Sequence, residues 1–345
     1  MPALTLPDSL FARNRLCEDG DNIFRLSPRQ RDEYAAFVLP ACTQSNHSQA
    51  DSAFAVLSRL EGRLLPLLYT PLDCHTPNVE LRAIASELGQ LVDQQADACI
   101  ASILLSPYEH YTPRHAINAA TLIHLLGKAQ SLDESTLQSL VCAALTMNIG
   151  IASTQDQMAR QAAPPTTAQQ QLIKLHPLLS SALIREMGIT DPLWHETVLM
   201  HHEQWNGSGY PFHLQQANIA EHAHLLHIVD MTCSKLMPRS YRNPMPAQQA
   251  LSILYQNQNQ QIDPNLITLL IRTLGIFPPG EFVELDNGMI AIVVERTDNL
   301  QAPRVALPAH PRQRIQTDNT PYRIKRPTVP QISARHIHLL SRFWS

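Results

Sequence analysis

Two adjacent histidines, His201 and His202, precede a short segment rich in glycine and aromatic residues, 203–211, which reads EQWNGSGYP. Imidazole nitrogens are common protein ligands of Zn²⁺ and Fe²⁺. Adjacent residues on a helix point about 100° apart, so both rings reach one site only if it lies between their directions. Gly207 and Gly209 permit backbone angles that other residues resist, and Pro211 fixes the exit, so the segment presents Tyr210 at a defined place. The sequence therefore predicts a metal site beside a rigid loop.

The distribution of histidines supports this interpretation. The chain has 16 histidines, and 11 of them lie between His110 and His227, which is about a third of its length. An adjacent pair alone is also an ordinary way for a helix to end, so both interpretations stay open at this level.

The wider pattern resembles the HD-GYP family, the helical phosphohydrolase-like domains that hydrolyse the bacterial messenger cyclic di-GMP at a two- or three-metal centre. The resemblance covers residues from about 96 to 277. Its specific points are the 201–211 block, His115 in YTPRH, His176 before a proline, Asp230, and the RSYR segment at 239–242. It implies that five residues are metal-binding positions: His115, His176, His201, His202 and Asp230.

The sequence departs from this family in one motif. The family's HDxGK segment falls where this chain reads Met147-Asn148-Ile149-Gly150-Ile151. Met147 therefore replaces a histidine ligand, Asn148 the metal-bridging aspartate, and Ile151 the lysine that contacts the scissile phosphate. Because Asn148 offers only a neutral carbonyl, repulsion between two cations is uncompensated there. We expect a two-metal cluster to form poorly, and we assign no catalytic residue.

Two alternatives remain for the metal. Three histidines, at 176, 201 and 202, with an open position can hold one divalent cation such as Zn²⁺, Fe²⁺ or Mn²⁺, with Asn148 as a weak further ligand. Alternatively, the histidines are satisfied by hydrogen bonds in a metal-free pocket. Asp230, in an apolar context, needs a partner in either case, and the candidates are a metal, His115 or Asn148.

Two further pairs resemble functional positions of the family. Arg239 and Arg242, spaced i, i+3, resemble phosphate-contacting residues that could grip a phosphodiester, and the alternative is a solvated or capping pair. Trp205 and Tyr210 form a candidate partner-binding patch, because the resemblance links this loop to docking with diguanylate cyclase domains and an aromatic residue on a rigid loop suits an interface.

Composition limits the classes of protein to consider. The apolar fraction is 44% and the charged fraction only 16%, which argues against disorder. Residues 301–345 hold eight Arg or Lys against Asp318, which suggests a basic tail that faces an anion or an acidic partner. The six cysteines form no CxxC pair, and we find no leader and no apolar run of membrane-spanning length. We therefore expect a cytoplasmic protein that binds neither membranes nor nucleic acid polymers.

The periodicity predicts a mostly α-helical protein with an HD-GYP-like helical domain, a helical N-terminal extension and a small β-rich C-terminal unit. Helical spacing of leucines begins before residue 95 and continues to about 277. A two-residue periodicity of apolar side chains then begins at 282–294, on both sides of Asp286-Asn287-Gly288, and this pattern predicts a β-hairpin. We divide the chain into an extension at 1–95, the helical domain at 96–277, and a hairpin-containing unit with the basic tail at 278–345.

The intact 201–211 loop beside an altered metal motif predicts a degenerate HD-GYP-like signalling protein. It would bind cyclic di-GMP or a protein partner without efficient hydrolysis. The alternative is a low-activity, metal-dependent cyclic di-GMP phosphodiesterase that uses the remaining ligands. A third interpretation is a scaffold whose Trp205–Pro211 loop or basic tail binds another protein, such as a diguanylate cyclase domain. The sequence leaves open whether the protein is a homodimer.

Overall fold

We describe the protein from a computed structural model. The structure describes residues 16–18, 24–26, 31, 52–237, 245–256, 261–328 and 340–344. These residues form a mostly helical protein with a small antiparallel sheet towards the C-terminus, which confirms the predicted fold class. Two short strands, β1 (Leu16–Glu18) and β2 (Phe24–Leu26), pair antiparallel. The extension that we predicted as helical therefore also contains a two-stranded sheet.

The first two helices pack on each other. Helix α1 (Ala53–Tyr69) begins where the side chain of Ser52 accepts a hydrogen bond from the free amide of Ala55, and it buries a stripe of leucines. Helix α2 (Pro77–Leu105) bends at Gln95, whose φ and ψ of −137° and 46° are not helical. The predicted boundary at 95/96 thus coincides with a kink within one helix, and the division into three units stays a prediction.

The remaining helices surround α3, which packs against α2, α4 and α8. Their bounds are α3 (Tyr111–Ala129), α4 (Glu134–Thr146), α5 (Ala152–Arg160), α6 (Thr167–Glu186), α7 (Pro192–Met200), α8 (Glu221–Leu236), α9 (Ala247–Gln256) and α10 (Pro264–Leu274). Side chains that accept from free backbone amides fix several helix starts, and Thr166 and Gln169 form a reciprocal capping box at α6. Because α3 and α8 are neighbours, residues on their facing sides can meet.

One apolar stretch, Glu134–Arg160, is long and apolar enough to cross a membrane by length and composition. However, 83% of its apolar 18-residue segment is buried inside the protein. The stretch contains α4, a 3₁₀ turn at Ile149–Ile151, and α5, and it packs against α6 and α7. We therefore assign it to the core of the helical domain.

Five strands form the C-terminal sheet in the order β6-β5-β4-β3-β7, and all neighbours are antiparallel. The strands are β3 (Phe282–Leu285), β4 (Ile290–Glu295), β5 (Arg304–Leu307), β6 (His310–Ile315) and β7 (Ile324–Pro327). The predicted hairpin is confirmed as β3 and β4, with Phe282 opposite Ile292. Gly288, at φ +81°, supplies the left-handed backbone that the turn needs.

The basic tail is more structured than the sequence suggested. Residues 304–327 supply three of the five strands, and four of their six cations pair with acidic groups of the same unit. Glu284 contacts both Lys325 and Arg326, at 2.8 and 2.6 Å, and Arg304 pairs with Glu295. The charge asymmetry of the sequence is thus partly neutralised between neighbouring strands.

Candidate metal and nucleotide site

Three of the predicted metal-binding residues converge. His176 lies on α6, His201 caps the C-terminal end of α7, and His202 follows in the turn beyond it. One ligand atom from each ring lies within 4.8 Å of the others. Adjacent side chains on a helix would point about 100° apart, but His202 lies beyond the end of α7, so both rings can face one site. The ring centroids of His201 and His202 are therefore only 4.2 Å apart.

Backbone carbonyls fix how two of these rings present their nitrogens. The Nδ1 of His176 lies 2.6 Å from the carbonyl of Ile173, and the Nδ1 of His201 lies 2.7 Å from that of Val198. A carbonyl only accepts hydrogen bonds, so each Nδ1 carries the hydrogen. Burial lowers the pKa of His176 to about 3 and that of His201 to about 4, so both rings are neutral at pH 7. Each Nε2 therefore has a free lone pair.

These two lone pairs face each other across 3.2 Å, the distance between the Nε2 atoms of His176 and His201. Two acceptors at this distance need a shared proton or cation between them. Two nitrogens bound tetrahedrally to one Zn²⁺ at about 2.0–2.1 Å would lie about 3.3 Å apart. Burial, and then the nearby His201 and His176, lower the pKa of His202 well below its usual value. The three neutral imidazoles therefore fit one borderline-soft divalent cation.

The other two predicted ligands bind each other. His115 on α3 and Asp230 on α8 are joined by a hydrogen bond of 2.8 Å between Nε2 and Oδ1. Burial alone would raise the pKa of Asp230, but the hydrogen bond and charge of His115 lower it well below its usual range. Tyr111 stacks on His115 with ring centroids 5.5 Å apart and holds that ring in place. The prediction that Asp230 has a partner is thus met by His115.

The altered motif lies next to both groups. Met147 is fully buried in the apolar core, whereas Asn148 and Ile151 line the cavity that His176 and Asp230 also line. Gly150 holds this turn close to α6, because a Cβ added there would lie 2.8 Å from the amide nitrogen of Ser180. The turn at Ile149–Ile151 therefore packs tightly against α6.

The cavity has a volume of about 440 Å³ and two different sides. One side holds the polar groups His176, His202 and Asp230. Another part of the lining comes from α5 and the connection to α6, with Gln155, Met158 and residues 161–165. This wall could not be predicted from the sequence, since it contains no motif and only the fold brings it to the same cavity as the histidines.

The loop after His202 is held from inside by Glu203. This carboxylate is fully buried, and it accepts hydrogen bonds from the amides of Phe212 at 2.6 Å and Leu214 at 2.9 Å. Gly209 permits the tight path, because a Cβ there would lie 2.3 Å from the amide nitrogen of Gln204. Glu203 had a place in the sequence motif but no assigned role, and the structure shows it as the anchor of the loop.

The loop directs its two aromatic rings inwards. Tyr210 lines the cavity and stacks on His202 with ring centroids 4.7 Å apart, and burial raises its pKa. Trp205 packs against His224 at 5.1 Å. A partner-binding role for these two rings stays a prediction.

Arg239 and Arg242 lie outside the described residues, so their role as nucleotide-binding residues also stays a prediction.

His227, for which no ligand position was assigned, is buried on α8 and donates from Nδ1 to the carbonyl of His201 at 2.9 Å. It therefore supports the backbone of the histidine cluster from behind.

Comparisons with known proteins agree with this architecture. A family model for the HD domain matches residues 83–266, which is more than half of the chain. The chain belongs to the HD-domain family. This HD-domain protein is similar to a cyclic di-GMP phosphodiesterase of Pseudomonas aeruginosa, with 24% identity over 223 residues, covering 64% of this chain and 54% of the relative. It is also 23% identical over 219 residues to a 3'3'-cGAMP-specific phosphodiesterase of Vibrio cholerae, covering 63% of this chain and 44% of the relative.

A solved structure shares the fold. The structure of a protein from Bdellovibrio bacteriovorus, titled as an HDG"Y"P protein, aligns with a TM-score of 0.55 at 15% identity, covering 66% of this chain and 73% of that one. This confirms the HD-GYP type of helical fold. The chain spans about half the length of the curated relatives that it matches.

Proposed function

We propose that this HD-domain protein binds a cyclic dinucleotide, with cyclic di-GMP as the first candidate, at a one-metal site and does not hydrolyse it efficiently. One observation supports this most directly. The cavity joins a three-histidine cluster to Asn148 and Ile151, where the resembled family has a bridging carboxylate and a lysine. The means to hold a cation are retained, whereas the charges for hydrolysis are missing from this motif.

The residues of the cavity have distinct roles in this proposal. A divalent cation held by His176, His201 and His202 would attract a phosphate oxygen of the ligand. The carbonyls behind the first two rings keep each Nε2 lone pair directed at the shared point. Tyr210, stacked on His202, covers the cluster on the side of the loop and limits the access of water.

The other metal position, which the resemblance assigns to His115 and Asp230, has lost two of its four expected ligands. Of its four expected groups, Met147 is a thioether buried in the apolar core, and Asn148 lacks a charge. The remaining two, His115 and Asp230, are occupied with each other through their 2.8 Å hydrogen bond. A second cation would have to break this pair and would gain no anionic bridge from position 148. We therefore expect one metal and not two.

Metal analysis and calorimetry together test the proposal. Protein purified without chelator is analysed by mass spectrometry for bound metal, titrated with cyclic di-GMP and 3'3'-cGAMP, and assayed for their hydrolysis. We expect about one metal per chain, micromolar binding and no turnover. His176→Ala should remove both metal and binding, whereas His75→Ala, an exposed histidine outside the cavity, should leave both unchanged. Two metals per chain with turnover would overturn the proposal, as would the absence of any dinucleotide binding.

A low-activity phosphodiesterase is the second candidate. The observation that favours it is the open position beside three neutral imidazoles, which is the usual donor set of a catalytic zinc site. The triple variant Met147→His, Asn148→Asp, Ile151→Lys tests how much of the catalytic surroundings remains. A rise in both metal content and hydrolysis would show that only the motif was lost. No gain would show that the supporting residues have changed as well.

A further inference from the structure

One face of α5 forms a wall of the cavity that His176 and His202 also line. Ile151 lies just before the helix, and Gln155 and Met158 follow at helical spacing, so the three side chains share one face. Ile151 and Met158 are apolar, and the small and apolar residues 162–165 extend the wall. Gln155 is thus a carboxamide set between two apolar side chains.

The carboxamide oxygen of Gln155 is buried, and among the described residues no donor reaches it. Buried amide oxygens normally accept a hydrogen bond, so this atom calls for an explanation. The neighbouring wall residue Gln161 differs, because its carboxamide exchanges hydrogen bonds with that of Gln169 at 3.2 and 3.0 Å. Of these two wall glutamines, Gln155 is therefore the one left to meet a ligand.

The helix that carries Gln155 is fixed from behind. The adjacent Asp156 is buried and accepts hydrogen bonds from the hydroxyl of Tyr69 at 2.5 Å and from the backbone amide and hydroxyl of Thr112 at 2.8 and 2.9 Å. These bonds join α5 to α1 and α3. The carboxamide of Gln155 is thus held on a rigid element, as a residue that selects a ligand must be.

The two sides of the cavity match the two parts of a nucleotide. The histidine cluster with its cation suits a phosphodiester, and an apolar slot with one amide suits a purine base. This inference rests on the proposed function: we propose that Gln155 determines specificity by forming hydrogen bonds with the edge of a purine base that lies between Ile151 and Met158. Its Oε1 would accept from an amino group or ring N–H, and its Nε2 would donate to the adjacent ring acceptor.

Titration of a matched pair of variants tests this inference. Gln155→Leu removes both hydrogen-bonding atoms at similar volume, whereas Gln157→Leu makes the same change at an exposed position of the same helix. Binding of cyclic di-GMP, cyclic di-AMP and 3'3'-cGAMP is measured by calorimetry with metal content as a second measurement. We expect Gln155→Leu to weaken binding of the preferred dinucleotide by about tenfold or more and to leave metal content unchanged. Gln157→Leu should match the wild type.

A third variant identifies the base. The carboxylate of Gln155→Glu accepts two hydrogen bonds and donates none. If the base is guanine, the carboxylate can accept from both N1–H and the neighbouring amino group, so Gln155→Glu should retain cyclic di-GMP. If adenine is read, binding should be lost, because the carboxylate then faces ring nitrogens that carry lone pairs. Either pattern supports the inference.

The outcomes separate this inference from the proposed function. Equal binding by the wild type and Gln155→Leu would overturn the inference while leaving the proposed function intact, and so would an equal loss in Gln157→Leu. If the wild type binds none of the three dinucleotides, the proposed function fails and the inference fails with it.

Discussion

Glu281 provides a quantitative test of how the C-terminal sheet is attached to the helical domain. It is 6% exposed, and its Oε1 accepts a hydrogen bond of 2.9 Å from the amide of Ala247 at the start of α9. Its Oε2 is buried with no partner among the residues that the structure describes. Burial raises the pKa of Glu281 from 4.5 to about 8, against the lowering effect of the hydrogen bonds from α9. The group is therefore mostly protonated at pH 7.

The sign and size of the effect follow from this raised pKa. In the folded protein the carboxyl keeps its proton up to about pH 8, whereas in the unfolded chain it loses the proton near pH 4.5. Its contribution to stability is thus complete below about pH 4.5 and is lost as the pH rises through 8. The full difference corresponds to about 5 kcal/mol. The positive end of α9 favours the carboxylate by at most about 2 kcal/mol, so a loss of about 3–5 kcal/mol remains.

Urea unfolding at pH 5, 7 and 9 measures this loss. Glu281→Gln keeps an acceptor for Ala247 and cannot ionise, so its free energy of unfolding should not show the loss due to this group. We expect Glu281→Gln to exceed the wild type at pH 9 by about 3–5 kcal/mol and to match it at pH 5 within about 1 kcal/mol. Glu134→Gln, at a side chain that is 84% exposed, is the control. Parallel pH profiles of the wild type and Glu281→Gln would refute the reasoning.

Four further substitutions test the loop and the packing of the helices. Gly209→Ala should displace the loop and reduce the metal content, because the added Cβ would lie 2.3 Å from the amide nitrogen of Gln204. Gly62→Ala adds a Cβ into open space within a helix, so it should raise stability by about 0.5–1 kcal/mol in thermal unfolding. Glu203→Gln should cost about 1–3 kcal/mol in urea unfolding, because one loop amide loses its buried acceptor. Tyr69→Phe should cost about 1–3 kcal/mol by the same measurement, since it removes the hydrogen bond to the buried Asp156.

The helices and the hairpin could be predicted because their signals are local. Leucines at helical spacing produce α1 and α2, and the Asp286-Asn287-Gly288 turn produces β3 and β4. Strands β5 to β7 were missed for two reasons. Strands β5 and β6 pair locally, with Leu307 opposite His310, but β6 is mostly exposed and lacks an apolar alternation. Strand β7 pairs with β3, which is distant in sequence. The outward positions of these strands carry charges such as Lys325 and Arg326, which resemble a solvated tail until Glu284 is placed beside them.

The candidate site divides in the same way. The motif positions predicted the histidine cluster, since each of these residues lies in a short recognisable segment. The wall that contains Gln155 and Met158 carries no motif, and it becomes part of the site only because the fold brings α5 to the cavity that Asp230 of α8 also lines. The pairing of His115 with Asp230 was one of three open alternatives, and it depends on two helices that are distant in sequence but adjacent in space.

Electrostatics explain why two of the altered residues of the motif, Met147 and Asn148, should act together. Two divalent cations about 4 Å apart repel each other by about 16 kcal/mol at an effective dielectric constant of 20. Asn148→Asp alone supplies compensating charge, but Met147 still offers the second cation no nitrogen ligand. Met147→His alone places an imidazole where a methionine is fully buried, which should lower stability without adding a metal. Gly150 keeps the turn packed against α6, so Asn148→Asp would place its carboxylate at the cavity, whereas the ring of Met147→His must leave the apolar core to reach a metal. Only their combination should raise the metal content to two.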